Sequence, residues 1–190
     1  MRCISVFRRS LGLKYRKKNI ILIGFMGSGK TTFGRWISTS HSMKFIDTDE
    51  YIEKKYNKLI KDIFRESGEE AFRNMETQAV RELADSCDNC VISVGGGLPV
   101  CYIYRRLLKE LGIVVYLKTE VDELVKRLSK DTSRPLLAGG NLREKIESLM
   151  TAREALYKDA ADVIVKTDGR RFEDMYADIV SAVNIGIMED

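Results

Sequence analysis

The chain has 190 residues, 44% hydrophobic and 32% charged, a balance that excludes a disordered polymer. Its longest apolar run falls far short of the roughly 18 residues a membrane span needs, so no membrane partner is expected. The formal charge of +4 hints at an anionic partner, yet seven of the 32 basic residues and none of the 28 acids lie in residues 1–18, which leaves the rest mildly acidic.

Taken in chain order, residues 1–18 form a basic leader that contains Ser5 and Ser10 and is expected to be disordered. Its composition resembles an organelle transit peptide, which would direct the protein to a plastid or other organelle; a solvated tail and a nucleic-acid arm are the alternatives. Apart from that arm, no nucleic-acid partner is expected, and the residues from 19 to 190 read as a single domain. Ile20-Ile21-Leu22-Ile23 is a continuous apolar run of the kind that forms a strand buried on both faces. Gly24-Phe25-Met26-Gly27-Ser28-Gly29-Lys30-Thr31 follows at once and matches G-x-x-x-x-G-K-[ST] between a strand and a helix. Glycines let successive N–H groups turn inward toward phosphate oxygens, and the next helix presents its positive end to the same anion. Lys30 then reaches the β- and γ-phosphates, while the Thr31 hydroxyl suits Mg²⁺.

The next apolar run, Phe45-Ile46, is followed by Asp47 and Asp49. In an extended segment this spacing puts both carboxylates on one side, one for Mg²⁺ and one for the proton of an attacking hydroxyl; a turn with a helix cap at Asp49 is the other reading. Arg73 and Glu76 lie three apart beside Phe72, Met75, Ala79 and Val80. Cys87 and Cys90 form a lone C-x-x-C with no second pair, and read as ordinary thiols of a reducing compartment rather than a redox or zinc site. The lone histidine, His41, allows no multi-histidine metal site.

A third run, Val91-Ile92-Ser93-Val94, leads into Gly95-Gly96-Gly97, a triplet that allows backbone to approach a ligand closely or makes a flexible turn. Ile113 to Leu117 is a fourth run, and Val121, Leu124, Val125 and Leu128 carry a helical period. The stretch 130–141, with small residues at its ends around Arg134-Pro135, suits a lid that closes over nucleotide, Arg134 adding positive charge. Leu142, Ile146, Leu149, Met150 and Leu156 outline the apolar stripe of a helix, and Arg153 falls in phase with it. An arginine on a buried stripe requires an anion, and the guanidinium fork of Arg73 and Arg153 suits a carboxylate; an internal ion pair is the alternative. Val163-Ile164-Val165 is a fifth run, and Phe172 to Val183 is periodic as a helix. Five apolar strands separated by helices predict an α/β fold, a three-layer α/β/α sandwich on a five-stranded parallel sheet.

The phosphate loop narrows the class. A GTPase needs N-K-x-D, but Asn57-Lys58 is followed by Leu59-Ile60, and Leu137-Ala138-Gly139-Gly140 only echoes the signature of a transporter ATPase. A small-molecule kinase remains.

The residues at 24–32, Asp47-Thr48-Asp49, Gly68-Glu69-Glu70-Ala71-Phe72-Arg73 with Glu76, Gly95-Gly96-Gly97, Arg134-Pro135-Leu136-Leu137 and Arg153-Glu154-Ala155-Leu156-Tyr157 together resemble shikimate kinase, a member of the nucleoside-monophosphate-kinase-like P-loop group. The likeness runs from about Asn19 to the C-terminal helix. It implies a P-loop kinase fold with a mobile lid and a helical acceptor-binding region over about 47–85. It also implies transfer of the ATP γ-phosphoryl to the 3-hydroxyl of shikimate, toward aromatic amino acids, in a cytoplasmic monomer. By motif, Gly27, Ser28, Gly29, Lys30, Thr31 and Thr32 would bind ATP, with Thr31 and Asp47 on Mg²⁺, Arg127 against adenine and Arg134 in the lid. Asp49, Arg73, Gly95, Gly96, Gly97 and Arg153 would bind shikimate, Glu76 supporting Arg73, and Lys30, Asp49 and Arg134 would carry catalysis. The chain departs from the family pattern at Ala155, where proline is usual, and at Val94, where threonine is common. Two other readings stand beside this one: a kinase for gluconate or a nucleoside monophosphate, and a catalytically silent ATP-binding regulator.

Overall fold

The computed structural model describes residues 19–129 and 140–188. The leader, and the lid segment with Arg134 except its last two residues, lie outside the described residues. Among the described residues, Ile20–Ile23 (β1), Lys44–Asp47 (β2), Cys90–Ser93 (β3), Ile113–Lys118 (β4) and Val163–Lys166 (β5) form one parallel sheet in the order β2-β3-β1-β4-β5. Parallel neighbours need crossovers, which the helices supply: Lys30–His41 (α1), Thr48–Tyr56 (α2), Ile60–Ser86 (α3), Tyr102–Leu111 (α4), Val121–Leu128 (α5), Leu142–Ala160 (α6) and Phe172–Met188 (α7). No helix among the described residues is long and apolar enough to cross a membrane. The five-stranded parallel sheet predicted from the apolar runs is therefore present.

Alternation along each strand sends its side chains into two cores. Ile21, Ile23, Val114 and Tyr116 pack with residues of α3, α4 and α6, whereas Ile20, Leu22, Val115 and Leu117 pack with α1 and α7. All four β1 side chains are fully buried, each contributing roughly 1.5–3 kcal/mol, so the loop that follows β1 springs from a firmly held strand. A third, small cluster of Ile52, Ile63, Phe72 and Ala79 joins α2 to α3. At the far edge of the sheet the buried Asn19 amide donates to the carbonyls of Cys87 and Leu111 and accepts from the Cys90 N–H. Cys87 and Cys90 are free and buried there, and burial pushes the Cys90 thiol up to about 11.

Strand register brings the functional loops to one edge. Asp47 pairs with Ser93 and Leu22 with Ser93, so the segments after β1, β2 and β3 emerge side by side at the carboxyl ends. One expected pattern is corrected. On α6 the buried positions are Ile146, Met150, Tyr157 and Ala160, and Leu156 is only half-buried. A step of 3.6 residues from Met150 passes through Arg153 to Tyr157, so the arginine stays in phase while the leucine does not.

Candidate active site

The phosphate loop is shaped by backbone. Gly29, at φ 93°, caps α1 in the left-handed region that favours glycine, and Ser28 N–H donates to Phe25 O at 3.1 Å. Lys30 Nζ lies across the loop and donates to Gly24 O at 2.9 Å and Phe25 O at 3.1 Å. The first turn of α1 has no acidic residue, which leaves its positive end for an anion. Arg127, on α5, donates through Nη1 to Gly27 O at 3.2 Å and through Nε to Glu123 at 2.9 Å, which fixes it on the rim. A cleft of about 800 Å³ runs along Gly27–Thr32 and is lined also by Asp47, Asp49, Gly95, Gly96, Arg170 and Phe172.

Asp47 joins the two halves of the site. It ends β2 and caps α2, its Oδ1 accepting from Asp49 N–H at 3.1 Å. Its Oδ2 accepts from Thr31 Oγ1 at 3.1 Å. The helix therefore begins at Thr48 with Asp47 as its cap. Asp49 sits in the first helical turn, not in an extended segment, so the i, i+2 argument gave a correct neighbourhood for the wrong reason. A hydroxyl and a carboxylate oxygen held together are hard donors of the kind Mg²⁺ takes in company with nucleotide phosphates.

The three glycines each make room for a different neighbour. A Cβ on Gly95 would stand 2.7 Å from Glu76 Oε1 and 3.3 Å from Asp49 Oδ1, so two carboxylate oxygens converge on the bare face of that residue. On Gly96 it would stand 3.1 Å from Gly24 O of the phosphate loop and 3.6 Å from the Tyr157 hydroxyl. On Gly97 it would lie 2.8–3.1 Å from the Arg73 guanidinium. Acceptor-side and nucleotide-side residues thus meet across one turn, because no side chain intervenes.

Charge in this corner is unevenly paired. Arg73 bonds Glu76 Oε2 at 2.5 Å and Glu69 at 2.9 Å, so the internal ion pair considered for it is present. Burial works against the Arg73 charge, but Glu76 and Glu69 outweigh it and raise its pKa. Glu76 is 1% exposed, and its Oε1 has no hydrogen-bond partner among the described residues. Burial pushes its pKa up to about 7, against the pull of Arg73 and with help from Asp49 and Glu69. Arg153 differs from Arg73. No carboxylate pairs with it among the described residues, and its guanidinium lies beside the Tyr157 hydroxyl, four residues on. Phe72, under the Arg73 guanidinium at 5.5 Å, and Phe64, 4.8 Å from Phe72, add an apolar wall.

Lys30, Thr31, Asp47, Asp49 and the glycine turn are therefore gathered in one place, with Arg73 and Glu76 adjoining and Arg127 at the rim; Arg134 lies outside the described residues. Sequence reasoning missed Arg170 and Phe172, which follow β5 at the same sheet edge, and gave Tyr157 no role. The rule that ligands gather beyond strand carboxyl ends points to the first two; nothing local points to the tyrosine.

Comparison with known proteins agrees with this geometry. The family model described as shikimate kinase matches residues 26–184. A shikimate kinase of Dictyoglomus turgidum is 42% identical over 167 residues, 86% of this chain and 96% of the relative. One from Francisella tularensis subsp. novicida is 39% identical over 175 residues, 92% of this chain and 97% of the relative. The solved structure of shikimate kinase from Acinetobacter baumannii in complex with shikimate superposes with a TM-score of 0.81 at 35% identity, covering 93% of this chain and 98% of that one. Matches that run through the phosphate loop, the glycine turn and the Arg153 helix, and that span nearly all of each relative, mean that this chain belongs to the shikimate kinase family, ATP-dependent phosphotransferases.

Proposed function

We propose that the chain transfers the γ-phosphoryl group of ATP to the 3-hydroxyl of shikimate, with the glycine turn as the place where acceptor and donor meet. The observation that carries this reading is the convergence of Asp49, Glu76 and Arg73 on Gly95–Gly97 while Gly96 rests against the phosphate loop. An acceptor with both a hydroxyl and a carboxylate fits such a corner: the carboxylate pairs with guanidinium, and the hydroxyl faces Asp49.

The transfer is an in-line displacement, so positioning and charge neutralisation carry most of the rate. Asp49 orients the acceptor hydroxyl and takes its proton as the new O–P bond forms and the bond from the γ-phosphorus to the bridging oxygen breaks, the electron pair leaving on ADP. Lys30 turns from the Gly24 and Phe25 carbonyls to the β- and γ-phosphates. Loop N–H groups and the positive end of α1 hold the remaining phosphate charge. Thr31 and Asp47 would hold Mg²⁺, which when bound neutralises charge on the phosphate oxygens. Arg153 and Arg73 clamp the acceptor carboxylate, Glu76 keeping Arg73 aligned. Arg127 borders the base of the nucleotide, and Arg134 is assigned to the transferring group by its motif alone.

A coupled assay of ADP release tests the reading directly. Turnover is expected with shikimate and not with gluconate or a nucleoside monophosphate; absence of turnover with millimolar shikimate would overturn it.

A further inference from the structure

Two tyrosines lie side by side beneath the site, Tyr116 on β4 and Tyr157 on α6, with ring centroids 5.3 Å apart. Both are fully buried. Their hydroxyls have opposite circumstances. That of Tyr116 has no hydrogen-bond partner among the described residues. That of Tyr157 donates to Gly96 O at 2.6 Å. A phenol has one proton to give, and its lone pairs remain to accept. Arg153 stands one turn back on the same helix face, with its guanidinium beside that oxygen. Gly96 in turn leans on the phosphate loop, where an added Cβ would stand 3.1 Å from Gly24 O and 3.8 Å from Met26 N.

We infer that Tyr157 is a positioning residue: its hydroxyl links the Gly96 carbonyl to Arg153, so that the arginine on the acceptor side keeps a fixed distance from the phosphate loop. This assignment rests on the proposal that Arg153 holds the acceptor carboxylate. The chain of contacts is short and directional. Among the described residues Arg153 has an uncharged oxygen and no carboxylate for its neighbour, which leaves its charge for an anion. The same oxygen pins the middle residue of three glycines, a turn that has no side chains of its own to fix it. In this role Tyr157 acts through these two groups and not on the reacting atoms.

The Tyr116 hydroxyl supplies a matched control, because Tyr157→Phe and Tyr116→Phe each remove one buried oxygen and keep the ring. With Tyr157→Phe, KM for shikimate is expected to rise about tenfold, the size of one lost hydrogen bond in this range, while KM for ATP changes less than about twofold. With Tyr116→Phe both constants stay within about twofold, since no bond is lost. Unchanged shikimate KM in Tyr157→Phe, or an equal rise for both substrates, would overturn the inference. Amide hydrogen exchange gives a second readout that needs no acceptor. The Leu98 and Val100 N–H groups bond Gly95 O and Gly97 O, and their exchange should accelerate in Tyr157→Phe but not in Tyr116→Phe. Equal protection in the two variants would overturn it, as would a lowered melting temperature with neither change. Should the unmodified chain not phosphorylate shikimate, the parent reading fails and the exchange comparison still decides the role of Tyr157.

Discussion

The nucleotide half and the acceptor half of the site are built in different ways. The phosphate-binding part of the first is one unbroken stretch, residues 24–32, hung on a fully buried strand and shaped by its own backbone. The second is drawn from α2, α3, the glycine turn and α6, and exists only when the fold brings them together. Its side chains also carry the titrating groups: Lys30 rests on backbone carbonyls, whereas Glu76, Asp49 and Arg73 act on one another. Phosphate recognition is thus local and robust, while acceptor recognition depends on tertiary spacing. Substitutions on the acceptor side should therefore alter acceptor chemistry and spare ATP binding.

Asp49→Asn gives the largest expected effect and the sharpest form of that contrast. The amide keeps the shape but cannot take a proton, so kcat should fall by about 10²–10⁴. ATP affinity, measured by calorimetry without acceptor, should change little. Near-normal turnover would remove Asp49 from its assigned role, and loss of ATP binding would show that the two halves are not separable.

The same contrast explains what was legible in the sequence. The phosphate loop could be read whole because glycines, lysine and threonine stand in contiguous order between strand and helix. The five strands could be read because each is a short apolar run, but their order could not, since pairing is set by crossovers that leave no local mark. Arg73 and Glu76 were visible as an i, i+3 pair. Asp47 as a helix cap was not anticipated: the capping choice between Asp47 and Asp49 depends on where β2 stops, and that is decided by pairing with β3. The link from Tyr157 to Gly96 spans 61 residues, and the bond from Thr31 to Asp47 spans 16. Such contacts are tertiary, and composition or periodicity has no access to them.

Next in size is a dependence of stability on pH seated in Glu76. Its pKa of about 7, raised from the ordinary 4.5, means that the folded state holds a proton which the unfolded chain has released between those values. Its contribution is therefore fully present below about pH 4.5 and is lost as pH rises toward 7. The amount is on the order of 3 kcal/mol, and readjustment of Arg73 reduces it. Glu76→Gln has no proton to release, so urea midpoints at pH 5 and pH 7 should lie closer together than in the unmodified chain. An identical separation would locate the dependence elsewhere.

Gly68→Ala probes how the acceptor half is hinged to the rest. Gly68 breaks α3 at φ 79° and ψ 177°, with no atom within 4 Å of an added Cβ, so any cost comes from backbone conformation alone. That cost should be about 1–3 kcal/mol of unfolding free energy, read from denaturant titration, with ATP affinity unchanged. A neutral result would mean that α3 straightens without penalty.

Gly97→Ala has the smallest expected effect and isolates recognition from stability. The added methyl would meet Arg73 Nη1 and Nη2 at 2.8–2.9 Å, the far end of a flexible side chain that Glu76 and Glu69 tether but that can shift sideways. Rotation about the outer side-chain bonds can carry the guanidinium off the turn while its pair with Glu76 is kept, so the melting temperature should hold. KM for shikimate should nevertheless rise about tenfold, since a bidentate clamp moved by an ångström no longer meets its carboxylate. Gly96→Ala is the useful opposite, because its methyl would press on the Gly24 carbonyl, which is backbone and cannot withdraw. There the KM for ATP should rise as well. If Gly97→Ala disturbed both substrates equally, the division between a local phosphate loop and a tertiary acceptor corner would not hold at the turn that joins them.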